Sequence, residues 1–438
     1  MQATECGLSS GLGETQTGIK QLHNMDKLHQ LPLLLLALLL CACQSRQTTQ
    51  GEEASALARD IVDEVRGSVL PFWTDYAPAP DGGFYGTLLR DGTPQPDAPR
   101  SGVLNARILW SFSAAARTWN DTLCLRLADR AQREFIRTFI DPQHGGVYWL
   151  TAPDGQVVNG TKYAYALTYG IYGLAEHYLA TGNTESLETA FTLFRTLEEK
   201  GRDPEHDGYI EAFTIDWKPL DKYDKDAPKT MNAHLHVLEA YMLLYQCRPD
   251  PLLRERLEYC TRLFMNTLYN PQRKHFNAYL DNAWHSLVDI DSYGHDVEAG
   301  WLLCRAADAL GNPQLQERAR RIAVDVTRTC LDEALTPEGY LRYERTGDRK
   351  TDHCSWWGQD EAIIACVNAW QISGDKQFLR EARRIWDFVM RTMKDREFGE
   401  WFSDCNNGIP IVNAPKANMW RCPYHTTRLG VEMQKIIN

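Results

Sequence analysis

A chain of 438 residues, 43% hydrophobic and 11% aromatic, has ample apolar surface for a large core, and no Pro-, Ser- or Gly-rich tract divides its body. Its net charge of −11 argues against a nucleic-acid partner, because phosphate binding needs a basic stripe. An uncharged small molecule is the simpler ligand.

From the N-terminus, Leu31 to Leu40 is an almost pure leucine run. It is about as long as a signal-peptide core and too short to span a bilayer as a mature helix. The run ends in Leu40-Cys41-Ala42-Cys43, which resembles a bacterial lipobox with Cys43 as the lipidated residue. Residues 1–43 are therefore expected to be a signal peptide, with translation starting at Met25, and 44–53 a polar tether. A membrane-anchored lipoprotein on the periplasmic or extracellular face follows, monomeric by default and touching the membrane only through its lipid.

Residues 54–438 carry a weak repeat of about 63 residues. Six loop segments mark it: Asp81-Gly82-Gly83-Phe84-Tyr85, His144-Gly145-Gly146-Val147-Tyr148, Asp207-Gly208-Tyr209, Lys274-His275-Phe276, Glu338-Gly339-Tyr340 and Phe398-Gly399-Glu400-Trp401. Between them, turns fall at Asn120-Asp121, Gly182-Asn183, Pro249-Asp250, Gly311-Asn312 and Gly374-Asp375. Each unit reads helix, short turn, helix, loop. Six such units close into an all-α (α/α)6 barrel, with short β-hairpin loops at the face where six parallel inner helices begin. The more apolar partner of each pair gives the inner helices: 103–118, 161–181, 231–247, 291–310, 355–373 and 419–437.

Near the starts of these helices stand Arg107, Tyr165, His236, His295, Trp357 with Glu361, and His425, spaced by 58 to 71 residues. The barrel brings them to one end of its axis. His234 and His236 point about 200° apart on a helix, so only one faces inward. Glu298, three residues after His295, lies on its face and is expected to orient that imidazole. Adjacent Trp356 and Trp357 cannot share a face, so one is expected at the ligand and the other in the wall. Asp221, Asp224 and Asp226 read as solvated turn residues. The nine cysteines of the body show no metal-ligand spacing, and several, such as Cys304 and Cys366, read as buried small hydrophobes.

Four segments carry a family resemblance: Asn105-Ala106-Arg107-Ile108-Leu109-Trp110, Met231-Asn232-Ala233-His234-Leu235-His236, Ser292-Tyr293-Gly294-His295-Asp296-Val297-Glu298 and Trp420-Arg421-Cys422-Pro423-Tyr424-His425. They resemble the signature segments of cellobiose 2-epimerases, in the N-acylglucosamine 2-epimerase superfamily. The resemblance covers the body from about residue 54 to the end. It implies an (α/α)6 barrel that epimerises C2 of the reducing-end sugar of β-1,4-linked disaccharides, with no obligatory metal or nucleotide cofactor. It also implies that Arg107, Tyr165, Asn232, His236, His295, Glu298, Trp357, Glu361, Trp420 and His425 form the site. Two departures stand out. Asp360 replaces the family's usual small residue in the Trp-Trp-x-Gln-x-Glu segment, which bears on sugar preference. A lipoprotein signal is unusual for enzymes expected in the cytoplasm, which bears on location.

The residue types suit this chemistry on their own terms. C2 epimerisation removes the proton α to the aldehyde and returns one to the opposite face of a cis-enediolate, so two bases are required. Imidazoles serve near neutrality, which assigns His295 and His425 to the two faces. Arg107 and His236 would stabilise the enediolate oxygens, Tyr165 would assist, and Trp357 or Trp420 would face the second sugar. Other readings are an aldose–ketose isomerase or N-acetylglucosamine 2-epimerase, an inverting glycosidase using Glu298 and Glu361, and a non-catalytic sugar-binding lipoprotein. The glycosidase leaves three histidines and an arginine without a task. The binding protein has no need of paired histidines.

Overall fold

Four of the helix-to-helix turns share one construction: a left-handed residue ends the first helix and the next side chain caps the second. Asn120, Gly182, Gly311 and Gly374 take positive φ. Asp121, Asn183, Asn312 and Asp375 accept backbone N–H groups of the following helix. Left-handed backbone suits Gly and Asn, and short oxygen-bearing side chains satisfy orphan N–H donors. The fifth turn places Asp250 as cap before Pro251, whose missing N–H costs nothing there.

The structure, a computed structural model, describes residues 51–438, of which Ala56–Asn438 form one unit. Twelve helices follow among the described residues: α1 (51–76), α2 (Gly102–Trp119), α3 (Thr122–Phe139), α4 (Ala164–Thr181), α5 (Thr184–Thr196), α6 (Met231–Cys247), α7 (Pro251–Leu263), α8 (Tyr293–Leu310), α9 (Pro313–Ala334), α10 (Trp356–Ser373), α11 (Lys376–Phe388) and α12 (Tyr424–Ile437). The even-numbered helices form the inner ring, each packing on the next, and α12 packs on α2 to close it. Inner helices are buried nearly all round; α2 is buried at every residue from Gly102 to Ala116. Outer helices bury one stripe. The expected architecture is present, with inner-helix boundaries displaced by a few residues.

The largest displacement is at α12, expected from 419 but starting at Tyr424. Asn418 accepts the N–H groups of Trp420 and Arg421 through its side chain, and Pro423 precedes the helix. Trp420 therefore sits on a loop. The expected signal peptide, Cys43 and the tether up to residue 50 lie outside the described residues; residues 51–53, assigned to the tether, are already helical.

Each short strand ahead of an inner helix pairs antiparallel with the next unit's loop. Arg100–Ser101 meets Leu150–Thr151, Lys162–Tyr163 meets Ala212–Phe213, Lys229–Thr230 meets Tyr279–Leu280, Ile290–Ser292 meets Glu344–Thr346 and His353–Ser355 meets Asp404–Asn406. Buried lysines anchor three of these loops. Asp141 accepts the N–H groups of Gln143 and His144 and pairs with Lys162 at 2.7 Å. Asp203 with Lys229 (2.7 Å) and Asp395 with Lys416 (3.1 Å) repeat the arrangement. In the fourth loop Asn270 takes the turn position and the charges invert, with Arg273 reaching Asp291. Gly208 shows why the loops are Gly-rich: its φ is +79°, and a Cβ there would lie 2.3 Å from Trp284.

Seven of the body's cysteines are free, Cys304 and Cys366 among the buried ones, as expected. The other two, Cys354 and Cys405, form a disulfide between paired strands, a pairing not anticipated from the sequence.

Candidate active site

The parallel inner helices bring their first turns to one face, where a cavity of about 480 Å³ opens. Arg107, Tyr165, Asn232, His236, His295, Glu298, Trp357, Trp420 and His425 all line it. Glu361 lies just beneath, buried behind His425. A second lobe of about 380 Å³ shares Asn232, Tyr279, His295, Tyr343 and Trp420 with the first and extends past Tyr163, Glu211, Tyr223 and Asp224. Asp224 is exposed, as expected of a turn, yet borders this lobe. Trp356 and Trp357 both reach the main cavity, so the expectation of one at the ligand and one in the wall is too simple.

On one side Arg107 donates to the hydroxyls of Tyr165 (2.5 Å) and Tyr169 (2.8 Å), and its guanidinium lies 4.2 Å from the Tyr169 ring centre. Burial raises the pKa of both phenols, so both stay neutral and polarise toward the cation. The Tyr169 hydroxyl also meets the His236 ring at 3.1 Å, and Nδ1 of His236 bonds Glu239 at 3.0 Å. His234 is turned away: Nδ1 lies 2.7 Å from the Thr230 carbonyl and Nε2 accepts the Tyr209 N–H at 2.9 Å. His236 is thus the inward member of the pair.

Beneath the cavity lies Arg428, one turn into α12. Its guanidinium bonds Glu239 of α6, Glu298 of α8 and Glu361 of α10, the last at 2.7 Å. Tyr424 adds a hydroxyl shared with Glu239 at 2.6 Å. Three carboxylates face one such cation, and the outcome differs among them. For Glu239, burial pushes the pKa up, but Arg428, His236 and Tyr424 outweigh it and hold the carboxyl at about 2. Glu298 and Glu361 are each pushed up to about 7, chiefly by burial, with Arg428 offsetting only part of it.

The two histidines assigned to C2 both contact Trp357, whose ring lies 4.6 Å from His295 and 5.5 Å from His425. Burial, together with the positive field of His236 and Arg107, lowers His295 to about 3. Burial, Arg428 and Arg107 lower His425 well below its ordinary value. Both imidazoles are neutral near pH 7. Nδ1 of His295 bonds Ser292 Oγ at 2.7 Å, and Glu298 turns to Arg428 instead. The expectation that Glu298 orients His295 is therefore corrected: the stronger attraction of a buried carboxylate is to the guanidinium. Of these two imidazoles it is His425 that has a carboxylate partner, its Nδ1 lying 2.8 Å from Glu361.

Glu298, Glu361 and His425 bring potential metal-ligand atoms within 4.8 Å of one another. Arg428 already bonds both carboxylates and supplies the positive charge a metal ion would bring. Asp360 points away from the cavity, accepting from Thr426 at 2.9 Å. Sequence reasoning missed Arg428, Tyr169, Glu239 and Ser292. The available signal was charge in the wrong place: Arg428 and Glu239 each lie three residues past an assigned histidine, on the same face of an otherwise apolar inner helix.

Fold and cavity together are those of an (α/α)6-barrel enzyme with a polar, histidine-bearing pocket at the helix-start face. The family model for N-acylglucosamine 2-epimerases matches residues 83–427, and the chain belongs to this family. It is 35% identical to the cellobiose 2-epimerase of Bacteroides fragilis over 387 residues, 86% of this chain and 98% of that protein. It is 33% identical to that of Ruminococcus albus over 85% of this chain and 97% of the relative. The solved cellobiose 2-epimerase of Bacillus thermoamylovorans B4167 superposes with a TM-score of 0.84 at 32% identity, covering 87% of this chain and 99% of that one.

The protonation state of Glu361 decides what His425 offers the cavity. A protonated Glu361 donates to Nδ1 and leaves an N–H on Nε2, whereas an ionised one accepts from Nδ1 and leaves Nε2 a lone pair. Because Glu361 titrates near pH 7, steps needing a proton from His425 weaken as pH rises through that value. Turnover should fall on the alkaline side of about pH 7. Glu361→Gln should lower kcat by about 10² or more and abolish that limb, since Glu298 then has Arg428 with one carboxylate fewer and titrates lower. An unchanged pH–rate profile in Glu361→Gln would contradict the assignment.

Proposed function

We propose that this protein epimerises C2 of the reducing-end sugar of β-1,4-linked disaccharides, converting cellobiose to glucosyl-mannose or mannobiose to mannosyl-glucose. The observation that carries this reading is the pair His295 and His425, both neutral, both lining one cavity and both in ring contact with Trp357. Two bases on opposite faces of C2 are what stereochemical inversion through a cis-enediolate requires. Family membership and the cellobiose 2-epimerase relatives support it, and the two connected lobes give room for two sugar rings.

One imidazole takes the C2 proton and the other delivers one to the far face. Arg107, held by Tyr165 and Tyr169, sits where the developing O1 and O2 charge would gather; a preformed buried cation stabilises such charge far better than water does. His236, kept in place by Glu239 and the Tyr169 hydroxyl, adds a second polar contact. Asn232, whose buried Oδ1 has no protein partner, offers an acceptor to a sugar hydroxyl. Trp420, 48% exposed between the lobes, offers an apolar face to the second ring. Glu298 and Glu361 are both bonded to Arg428, which disfavours casting them as the acid and base of a glycosidase.

The test is incubation of the full chain with cellobiose and with mannobiose in heavy water, followed by separation of epimers. The expected product is the C2 epimer carrying solvent deuterium at C2. Release of monosaccharides would support a glycosidase, and a ketose would support an isomerase; either would overturn the proposal.

We further infer that the protein works outside the cytoplasm, tethered through Cys43. Leu40-Cys41-Ala42-Cys43 supports this, as does the disulfide, since such bonds persist mainly in oxidising compartments. Mass spectrometry of the native N-terminus should find a lipid-modified Cys43; an unprocessed N-terminus would refute the anchor.

A further inference from the structure

The strands His353–Ser355 and Asp404–Asn406 pair with Cys354 opposite Cys405. Side chains alternate across a strand, so the disulfide occupies one face while His353, Ser355 and Asp404 share the other. These three line the main cavity, as does Ser403. His353 Nε2 lies 2.9 Å from Asp404 Oδ1, and the two side chains are 32% and 29% exposed. That bond leaves Nδ1 of His353 and Oδ2 of Asp404 available to a ligand. Beside them, Ser355 Oγ and Trp356 Nε1 are buried polar atoms with no hydrogen-bond partner among the described residues. Buried polar groups are rarely left unsatisfied, so such a cluster on a cavity wall points to a polar ligand.

The position is set by aromatic rings. Tyr343 lies 5.1 Å from His353 and 5.9 Å from Trp357, which in turn touches His295 and His425. Tyr343 thus separates the His353 ring from Trp357 and the two histidines assigned to C2, while all of them line one cavity.

We propose that His353 and Asp404 form a hydroxyl-binding subsite for the disaccharide, holding hydroxyls of the ring in the main cavity other than those at the reacting C1 and C2, and that the Cys354–Cys405 disulfide positions this subsite. The proposal rests on the epimerase reading above. An imidazole beside a carboxylate suits vicinal sugar hydroxyls, one accepting and one donating. The disulfide ties the 403–406 segment to the root of α10, where the Trp356 N–H also bonds the Ser403 carbonyl at 2.8 Å. Reduction would remove the covalent tie and leave this wall to hydrogen bonds alone.

The disulfide is tested first: alkylation of the denatured, unreduced full chain should spare Cys354 and Cys405, and prior reduction should label both. Labelling without reduction would overturn the positioning claim. Steady-state kinetics on cellobiose then compares wild type with His353→Ala, Asp404→Asn and the paired Cys354→Ala, Cys405→Ala variant. KM should rise about tenfold, the scale of one lost hydrogen bond to a charged group, with kcat within about twofold. A paired cysteine variant with lowered kcat and wild-type KM would overturn the positioning role, and wild-type KM in both His353→Ala and Asp404→Asn would overturn the subsite. If wild type itself produces no epimer, the functional reading fails, and calorimetric titration with cellobiose still reads whether the two single variants weaken binding.

Discussion

One buried guanidinium organises this site. Arg428 sits on the last inner helix and bonds carboxylates from three others, so four of the six inner helices meet at a single cation. Removing charges from water is costly, and the cluster is tolerable because every carboxylate finds the guanidinium, and Glu239 and Glu361 find further hydrogen bonds. One cation cannot fully ionise three acids in such a place. Glu239, with His236 and Tyr424 to help, stays ionised, while Glu298 and Glu361 rise to about 7. The cluster therefore stores a proton near neutral pH, and Glu361 presents it to His425.

The catalytic face depends on a second constraint, the repetition of loop anchors. Buried Lys162, Lys229 and Lys416 each lie ahead of an inner helix and grip a side-chain-capped turn in the preceding loop. The loops are thereby fixed relative to the helix starts, and side chains in the first turns converge from around the ring. Arg107 is held differently: two tyrosine hydroxyls and the Trp420 carbonyl bind it, with no carboxylate among its hydrogen-bond partners in the described residues. Its charge is therefore left largely uncompensated and directed at the cavity, whereas the charge of Arg428 is spent within the protein. In the proposed reaction the two arginines would divide the labour, Arg107 facing the anionic intermediate and Arg428 holding the acids beside the histidines.

The repeat, the capped turns and the inner-helix residues were legible because they follow from local chemistry: Gly and Asn at left-handed positions, Asp and Asn at caps, apolar periodicity along helices. Eight of the assigned residues reach the cavity from the first turns of inner helices for that reason, whereas Trp420 reaches it from a loop. Partner choice was less legible. Glu298 is three residues from His295, but its bond goes to Arg428, 130 residues away in sequence; spacing along a helix gives reach, not preference. The start of α12 was misread because 419–423 is apolar enough to continue a helix, while the Asn418 turn and Pro423 stop it. Cys354 and Cys405 are separated by 51 residues, and only the strand register makes them opposite. The lipobox, by contrast, rests on sequence pattern alone.

The central claim is that His295 and His425 address opposite faces of C2. It is tested most directly by following the loss of deuterium from C2-labelled substrate in ordinary water with His295→Asn and His425→Asn enzymes. Each variant retains one base, so each should wash out label from one epimer of the disaccharide only, with the other variant acting on the other epimer and neither interconverting the two at an appreciable rate. Washout from both epimers by a single variant would mean that one base serves both faces, and the two-histidine account would be wrong.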